Sequence, residues 1–268
     1  MQSYICTTCG TQFAASAQTP AGCPICQDER QYVAPGGQQW TTMEALRRGH
    51  RNSFRRLEPG LYGFAPEPKA GIGQRALLVR TPAGNVLWDC VPLLDDATAD
   101  IIHGLGGLSA VAISHPHFYT SMVEWAHAFG APVFLHAGDR EWVMRPDPAI
   151  RFWEGETHAL GDGLTIIRCG GHFTGSSVLH WAAGAEGRGA LMTGDTIQVV
   201  PDRGWVTFMR SFPNQVPLNG AAVRRIVQAV EPFAFDRIYG AWWDAHVETD
   251  AKSAVARSAA RYLEAIAG

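Results

Sequence analysis

No stretch of the 268-residue chain reaches 18 consecutive apolar residues, so none has the length expected of a membrane-spanning helix. The apolar stretch Ile72–Val79 is interrupted by Gly73, Gln74 and Arg75. The start, MQSYICTTCG, has no basic head leading into an apolar core, so no export signal is expected there. Charge is also sparse, at 18% Asp, Glu, Lys and Arg against a usual quarter. The 22 basic and 25 acidic residues leave a net charge of −3, which gives no basic field for a nucleic-acid backbone. With 46% hydrophobic residues, a sizeable core is expected and dominant disorder is excluded. A disulfide framework is missing too. Four of the six cysteines form two CxxC pairs within the first 26 residues, while Cys90 and Cys169 stand alone. Thiolate metal binding in a reducing compartment, the cytoplasm, is the expectation.

What is present begins with those pairs. Cys6-Thr-Thr-Cys9 and Cys23-Pro-Ile-Cys26 each place two sulfurs around a tight turn, with Gly10 and Ala21-Gly22 permitting the turns. Two such turns complete a four-sulfur tetrahedral site for zinc or a single iron. Redox CxxC chemistry or disulfides are the alternatives. The segment is too short to fold on apolar area alone, so a metal must carry much of its stability. It resembles zinc-ribbon and rubredoxin-like knuckles. A closed four-sulfur site has no position for substrate, so docking or oligomer formation suits it better than catalysis. Pro35-Gly36-Gly37 reads as a linker, dividing a module at 1–35 from a domain at 36–268.

Beyond the linker, a helix capped by Thr41 or Thr42 runs to Arg48. Leu57, Leu61, Tyr62 and Phe64 suggest a strand, as do Arg75–Arg80 and Val86–Trp88 around a Pro82-Ala-Gly-Asn85 turn. The reading continues with helix Asp95–His103, strand Leu108–Ser114, helix Met122–Phe129, strand Pro132–Leu135 and helix Asp139–Met144. In the second half Leu164–Arg168, Ser177–Trp181 and Ala190–Thr193 read as strands, with Gly184–Gly189 as a loose turn. Leu218–Val230 reads as a helix, Phe235–Tyr239 as a strand, and Thr249 as the cap of a last helix over Asp250–Ile266. Two mixed halves of similar order suggest two sheets packed as a sandwich with helices outside.

Polar residues able to bind metal follow several of these strands. His115-Pro-His117 follows Leu108–Ser114; alternate residues of an extended segment face one way, and Pro116 favours an extended His115. Gly170-Gly171-His172 follows Leu164–Arg168, and Gly194-Asp195 follows Ala190–Thr193. Three neutral imidazoles suit zinc and leave a position for water, and a carboxylate beside them can bind the ion or hold that water. His50, His127, His136, His158 and His180 lack such support and read as surface or packing residues; His103 ends a helix.

In these segments the chain resembles the metallo-β-lactamase-fold hydrolase superfamily over roughly residues 54–268. Val86-Leu-Trp-Asp89 resembles the family's early strand ending in Asp. Ser114-His115-Pro-His117 resembles the first half of its HxHxDH motif. Gly171-His172-Phe-Thr-Gly175-Ser176 resembles its third ligand loop, and Leu191-Met-Thr-Gly194-Asp195 its bridging-ligand segment. The resemblance implies an α+β fold, a four-layer αββα sandwich with metals at one rim of the sheets. It also implies hydrolysis of thioesters, lactams, lactones or phosphodiesters, with oxidoreductases among some members.

The departures concern the family's second metal. Tyr119-Thr120 stands at the family's Asp-His pair, and Ala241 stands at the place of its last His. One retained metal is therefore expected, held by His115, His117 and His172 with Asp195 beside it. His246 and Asp244 are weaker candidates for replacement ligands. Trp205, Phe208 and Phe212, after Asp195, and Trp242 with Trp243 are candidate pocket walls or core. The expected activity is hydrolysis of a small ester, thioester or lactone, with Asp195 binding the metal or orienting water and Tyr119 donating to the developing oxyanion. The expected cofactors are zinc at the cysteines and zinc at the histidine rim, with iron an alternative at either. The competing readings are a catalytically silent metal-binding or ligand-binding protein and, third, an iron-dependent oxidoreductase. The expected partner is a small molecule, with a homo-oligomer or a docking protein at the cysteine module and neither nucleic acid nor membrane.

Overall fold

Short apolar runs separated by Gly, Pro and Asn build the first half as strands too short to be stable singly. In the computed structural model, which describes residues 1–267, the chain divides into two units. The first contains Met1–Leu135 and Arg140–Phe152, the second His136–Asp139 and the chain from Trp153.

The first unit opens with β1 (Tyr4–Cys6), a one-turn helix α1 (Pro24–Gln27) and β2 (Trp40–Thr42). β1 and β2 pair antiparallel, Cys6 opposite Trp40. Helix α2 (Met43–Gly49) follows, and Thr42 caps it by accepting the Ala45 N–H at 3.1 Å. A seven-stranded sheet comes next. It is built in chain order from β3 (Arg51–Glu58), β4 (Leu61–Glu67), β5 (Ala76–Val79), β6 (Val86–Trp88), β7 (Ala110–Ala112), β8 (Val133–His136) and β9 (Ile150–Trp153). β3 to β6 pair antiparallel; β6, β7 and β8 run parallel, so helical crossovers are required between them. Those crossovers are α3 (Asp96–Gly104), capped by Asp95 onto Thr98 N–H, and α4 (Met122–Phe129), which ends on left-handed Gly130.

The second unit holds a six-stranded sheet in the order β10 (Thr157–Gly161), β11 (Leu164–Arg168), β12 (Ser177–Trp181), β13 (Ala190–Met192), β18 (Arg237–Tyr239) and β19 (His246–Val247). A turn with two left-handed residues, α5 (Gly184–Gly187), links β12 to β13, and two small hairpins, β14 (Gln198–Val199) with β15 (Val206–Thr207) and β16 (Met209–Ser211) with β17 (Val216–Pro217), follow β13. Helix α6 (Gly220–Val230) buries Val223, Ile226 and Val230, and α7 (Ala251–Ala267) buries Ala254, Val255 and Ala259. These side chains close on Ile167, Val178, Leu191, Phe208 and Ile238 in one core. Burying each of its large aliphatic side chains contributes about 1.5–3 kcal/mol.

Several expectations need correction. The strand expected around Leu57–Phe64 is a hairpin of β3 and β4 turning at Gly60, φ +85°. The helix expected over Asp139–Met144 is a 3-10 segment at Ala137–Trp142, interrupted at Asp139. The segment Gly184–Gly189 is a turn as expected, with Ala185 and Glu186 in left-handed backbone at φ +50° and +55°. Asp250, not Thr249, precedes α7, and its carboxylate meets Arg257 at 2.8 Å. Of the aromatic residues read as pocket walls or core, Phe208 takes the core reading, and Trp205 lies under Arg261 at 3.6 Å. Trp242 packs against the same core as Phe208.

Stability should fall on acidification in two stages. Burial pushes His136, His158 and His180 below the ordinary imidazole value. The unfolded chain then binds protons that the folded chain refuses, so stability present at neutral pH is lost as pH drops below about 6.5. Glu124 and Asp147 follow at lower pH. Burial raises both, but Arg145 and Gln12 bonding at Glu124, and Ala149 N–H with His127 at Asp147, outweigh it and leave both below the carboxylate range. Their contribution holds above about pH 4 and is lost as pH falls through their depressed values. Calorimetric Tm should hold from pH 8 to 7, decline from about pH 6.5 downward and fall again below about pH 4, and His180→Gln should flatten the limb between about pH 7 and 5.5. An unchanged limb in that variant would contradict this assignment.

Candidate metal centres

The first centre lies wholly in the first unit. Cys6 ends β1, Cys9 closes the following turn, Cys23 is the N-cap of α1 and Cys26 lies within it. The Gly10 N–H donates to the Cys6 carbonyl at 2.8 Å and the Gln27 N–H to the Cys23 carbonyl at 3.0 Å, so both CxxC turns close in the same way. All four sulfurs are buried and lie within 4.8 Å of one another. Cys6 Sγ to Cys26 Sγ and Cys9 Sγ to Cys23 Sγ are each 3.6 Å. A disulfide requires about 2.05 Å. A tetrahedron with metal–sulfur bonds of about 2.3 Å has edges of roughly 3.8 Å. The spacing therefore suits an ion and not two disulfides. Gln38 Nε2 donates to Cys6 Sγ at 3.1 Å, and a hydrogen bond links Cys9 Sγ to Thr11 Oγ1 at 3.3 Å. Hydrogen bonds from Cys23 and Cys26 push the Cys6 thiol down, and those from the same partners push Cys9 up. Ionised together, the four buried sulfurs would require a cation among them. Phe13, Trp40, Trp142 and Met144 surround the cluster. Cys90 and Cys169 are different in kind: burial pushes both thiols up, Cys169 to about 12, which makes them inert.

The histidine pair also belongs to the first unit. β7 ends at Ala112, and His115 is extended, with φ −169° and ψ 169°. The chain then enters a 3-10 turn at Pro116–Phe118, so the alternation expected of an extended His-Pro-His applies only as far as His115. The turn leaves the two imidazoles 5.1 Å apart at 77°. Ser114 Oγ hydrogen-bonds His115 Nδ1 at 2.8 Å, which leaves Nε2 as that ring's outward nitrogen. Asp89, in left-handed backbone at φ +61° just after β6, accepts the Ser114 N–H at 2.8 Å. A non-glycine residue there costs about 1–3 kcal/mol and is held by its surroundings. Tyr119 and Thr120 follow the turn, both buried, with Thr120 at φ +36°.

His172 and Asp195 lie in the second unit. His172 sits in the loop after β11 and Asp195 three residues past β13. His172 Nδ1 is 3.2 Å from the Met209 carbonyl, so its N–H donates there and Nε2 lies 3.7 Å from Asp195 Oδ2. Phe212 stands 6.1 Å from the His172 ring. Asp139 was expected only as part of a helix. It is buried and accepts the Gly175 N–H at 2.7 Å, which pins the loop that carries His172. No sequence signal links residues so far apart. His246 lies in β19 opposite Tyr239, its Nδ1 3.4 Å from Glu248, and Asp244 adopts φ +61° in the preceding turn. Among the described residues, neither belongs to a group of metal-binding side chains.

No protein-family model matches the sequence. The uncharacterized protein YmaE of Bacillus subtilis (strain 168) is 48% identical over 268 residues, covering 99% of this chain and 97% of that protein. Among solved structures, DIM-1 metallo-β-lactamase is similar with a TM-score of 0.60 at 13% identity, covering 80% of this chain and 98% of that one. The metallo-β-lactamase FIM-1 from Pseudomonas aeruginosa, in its mono-zinc form, is similar with a TM-score of 0.57 at 16% identity, covering 78% and 95%. The α+β fold is thus that of the metallo-β-lactamases, preceded by the four-cysteine cluster. No helix among the described residues is long and apolar enough to cross a membrane.

Proposed function

The chain belongs to the family of Bacillus subtilis YmaE, and we propose that it is a metal-dependent hydrolase of small esters, thioesters or lactones, its ion held by His115, His117 and His172, with Asp195 beside it to orient water. The observation that carries the reading is the donor set. The first unit offers two buried imidazoles, at His115 and His117, and the second a buried imidazole and a carboxylate, at His172 and Asp195. Three imidazoles and a carboxylate suit zinc, with iron the alternative. The orientation of the rings supports it: the Nδ1 atoms of His115 and His172 are engaged by Ser114 and the Met209 carbonyl, which directs Nε2 of each toward an ion.

When bound, the metal supplies a Lewis acid that lowers the pKa of water toward about 7 and polarises a carbonyl. The remaining roles fall to the chain itself. Asp89 fixes the backbone before His115, and Asp139 fixes the loop of His172. Asp195 orients the attacking water and accepts its proton. Tyr119 donates a hydrogen bond to the oxygen on which negative charge develops. Substrate is a small uncharged acyl compound, since a net charge of −3 offers no attraction to polyanions.

The site is mononuclear in this reading, because Tyr119, Thr120 and Ala241 stand where the resembling family carries second-metal ligands. FIM-1 in its mono-zinc form is a protein of this fold carrying a single zinc. The cysteine cluster holds a second, structural zinc in a ribbon at 1–35, and its reduced thiols fit a cytoplasmic protein. Elemental analysis should return two zinc equivalents. Diffraction above the zinc edge should give one peak near His115 and another among the cysteines. A second peak about 3–4 Å from the histidine-bound ion, the spacing of two-metal sites, would overturn the mononuclear assignment. Metal-replete protein that turns over no member of a broad ester, thioester and lactone panel would favour the metal-binding protein without catalysis. Coloured, iron-loaded protein would favour the oxidoreductase.

A further inference from the structure

We infer that the four-cysteine module braces the His115–Thr120 turn, with Gln12 as its positioning residue, so that metal at the cysteines sets the backbone carrying His115 and His117. Everything in this inference lies in the first unit. The chain leaving the Cys9 knuckle runs against the segment that follows the histidines. The Gln12 N–H donates to the Thr120 carbonyl at 2.9 Å, at the residue forced to φ +36°. Two residues on, the Ala14 N–H donates to Met144 at 3.1 Å. The Gln12 side chain is held equally firmly: its Nε2 donates to Glu124 at 3.0 Å, and Arg145 donates to both Gln12 Oε1 and Glu124 Oε1. One residue of the module thus grips the strained turn through its backbone and the first turn of α4 through its side chain.

The knuckle itself is fitted to this place. A side chain at Gly10, φ +82°, would come within 2.5 Å of Pro92 Cγ and 3.4 Å of the Thr120 methyl. Pro92 in turn is tied to α4, because Ser121 Oγ donates to the carbonyls of Val91 and Pro92 at 3.1 and 3.0 Å. On the other side, a side chain at Gly71 would meet the Cys9 carbonyl and Gly10 at 3.2 Å. Glycine is therefore required where these backbones touch. Thr120, at the position where the resembling family places a second-metal histidine, has its methyl turned toward Gly10. The φ of Thr120 is costly for a β-branched residue. The Gln12 bond offsets that cost only while the knuckle is folded, and the knuckle folds only on its metal.

The inference uses the histidine reading for its consequence but not for its test, which reads backbone protection. Full-length, zinc-replete protein would be followed by hydrogen exchange at 118–125, where the Tyr119, Met122 and Glu124 amides are bonded within the turn and α4. In Cys9→Ser/Cys23→Ser protein, exchange there should rise at least tenfold, with β4 to β6 unchanged. In His172→Ala protein, whose cysteines are intact, 118–125 should keep its protection. Metal-stripped wild type given one equivalent of cadmium, a soft ion that thiolates select, should regain protection at 118–125, and the cysteine variant should not. Exposure confined to 4–27 overturns the inference. So does equal exposure across β4 to β7, which would make the module a general stabiliser. Failure of the hydrolase reading alone would leave these patterns intact.

Discussion

Replacing His115 or His172 by alanine is expected to remove one metal equivalent and lower kcat/KM for the best ester or thioester by roughly a thousandfold or more, because water without the ion returns from a pKa near 7 toward about 15.7. The two substitutions act on different units of the chain, which makes agreement between them informative. Each imidazole is buried and meets a fixed partner at Nδ1, so alanine deletes a ligand without leaving a displaced charge. A graded result should accompany the complete one. Ser114→Ala keeps every ligand and removes only the hydrogen bond that sets the His115 ring, and should cost about 10–100-fold in metal affinity. Asp139→Ala should act similarly on His172, by removing the oxygen that accepts the Gly175 N–H. The check is metal content and turnover on the same preparations, with near-ultraviolet circular dichroism to confirm packing. Turnover that survives in both alanine variants would assign the activity to another site or another protein.

Such a graded series depends on residues of unequal legibility. The ligand candidates are readable because each follows an apolar strand, and β11 and β12 occupy the ranges expected, Leu164–Arg168 and Ser177–Trp181. Helix Met122–Phe129 is equally plain, since apolar Met122, Val123, Trp125 and Ala126 share a face and Gly130 ends it in left-handed backbone. The hairpins after Asp195 are not readable. Strands of two residues, such as β14 and β15, carry no period long enough to detect. The His-Pro-His segment misleads for another reason. Pro116 makes His115 extended, as its effect on the preceding residue requires, but its own φ also suits the first position of a helical turn. Supporting residues leave still less trace. Asp139 and Gln12 act by accepting or donating to backbone groups far along the chain, at Gly175 and Thr120, and a backbone partner has no residue type to recognise. The brace on the histidine turn could therefore be found only from coordinates.

The cysteine module should respond to substitution in a way that separates it from the histidine centre. Cys6→Ser/Cys9→Ser protein is expected to lose one metal equivalent and the fold of roughly its first 40 residues, while the sheets of both units persist. The apolar residues close to the cluster are few, chiefly Ile25 with the edges of Phe13, Trp40, Trp142 and Met144. That area is small beside the 10–16 kcal/mol or so that a structural zinc contributes to folding a four-ligand module. With two sulfurs gone, the remaining pair cannot complete a tetrahedron, and Cys23 and Cys26 become ordinary thiols, one capping a one-turn helix and one within it. Limited proteolysis should then cut within the first 40 residues at least about tenfold faster, as expected when local stability is lost before global stability. The β3–β9 sheet should melt near its original temperature. Cys90→Ser and Cys169→Ser serve as controls: both thiols are buried, inert and outside the cluster, so metal content should not change. Under saturating zinc the second equivalent should remain in the Cys6→Ser/Cys9→Ser protein, bound more weakly because Gln12 no longer holds Thr120. Retention of both equivalents at wild-type affinity would mean that these sulfurs are not ligands. Loss of both metals without unfolding of the sheets would mean that the two centres are not separate.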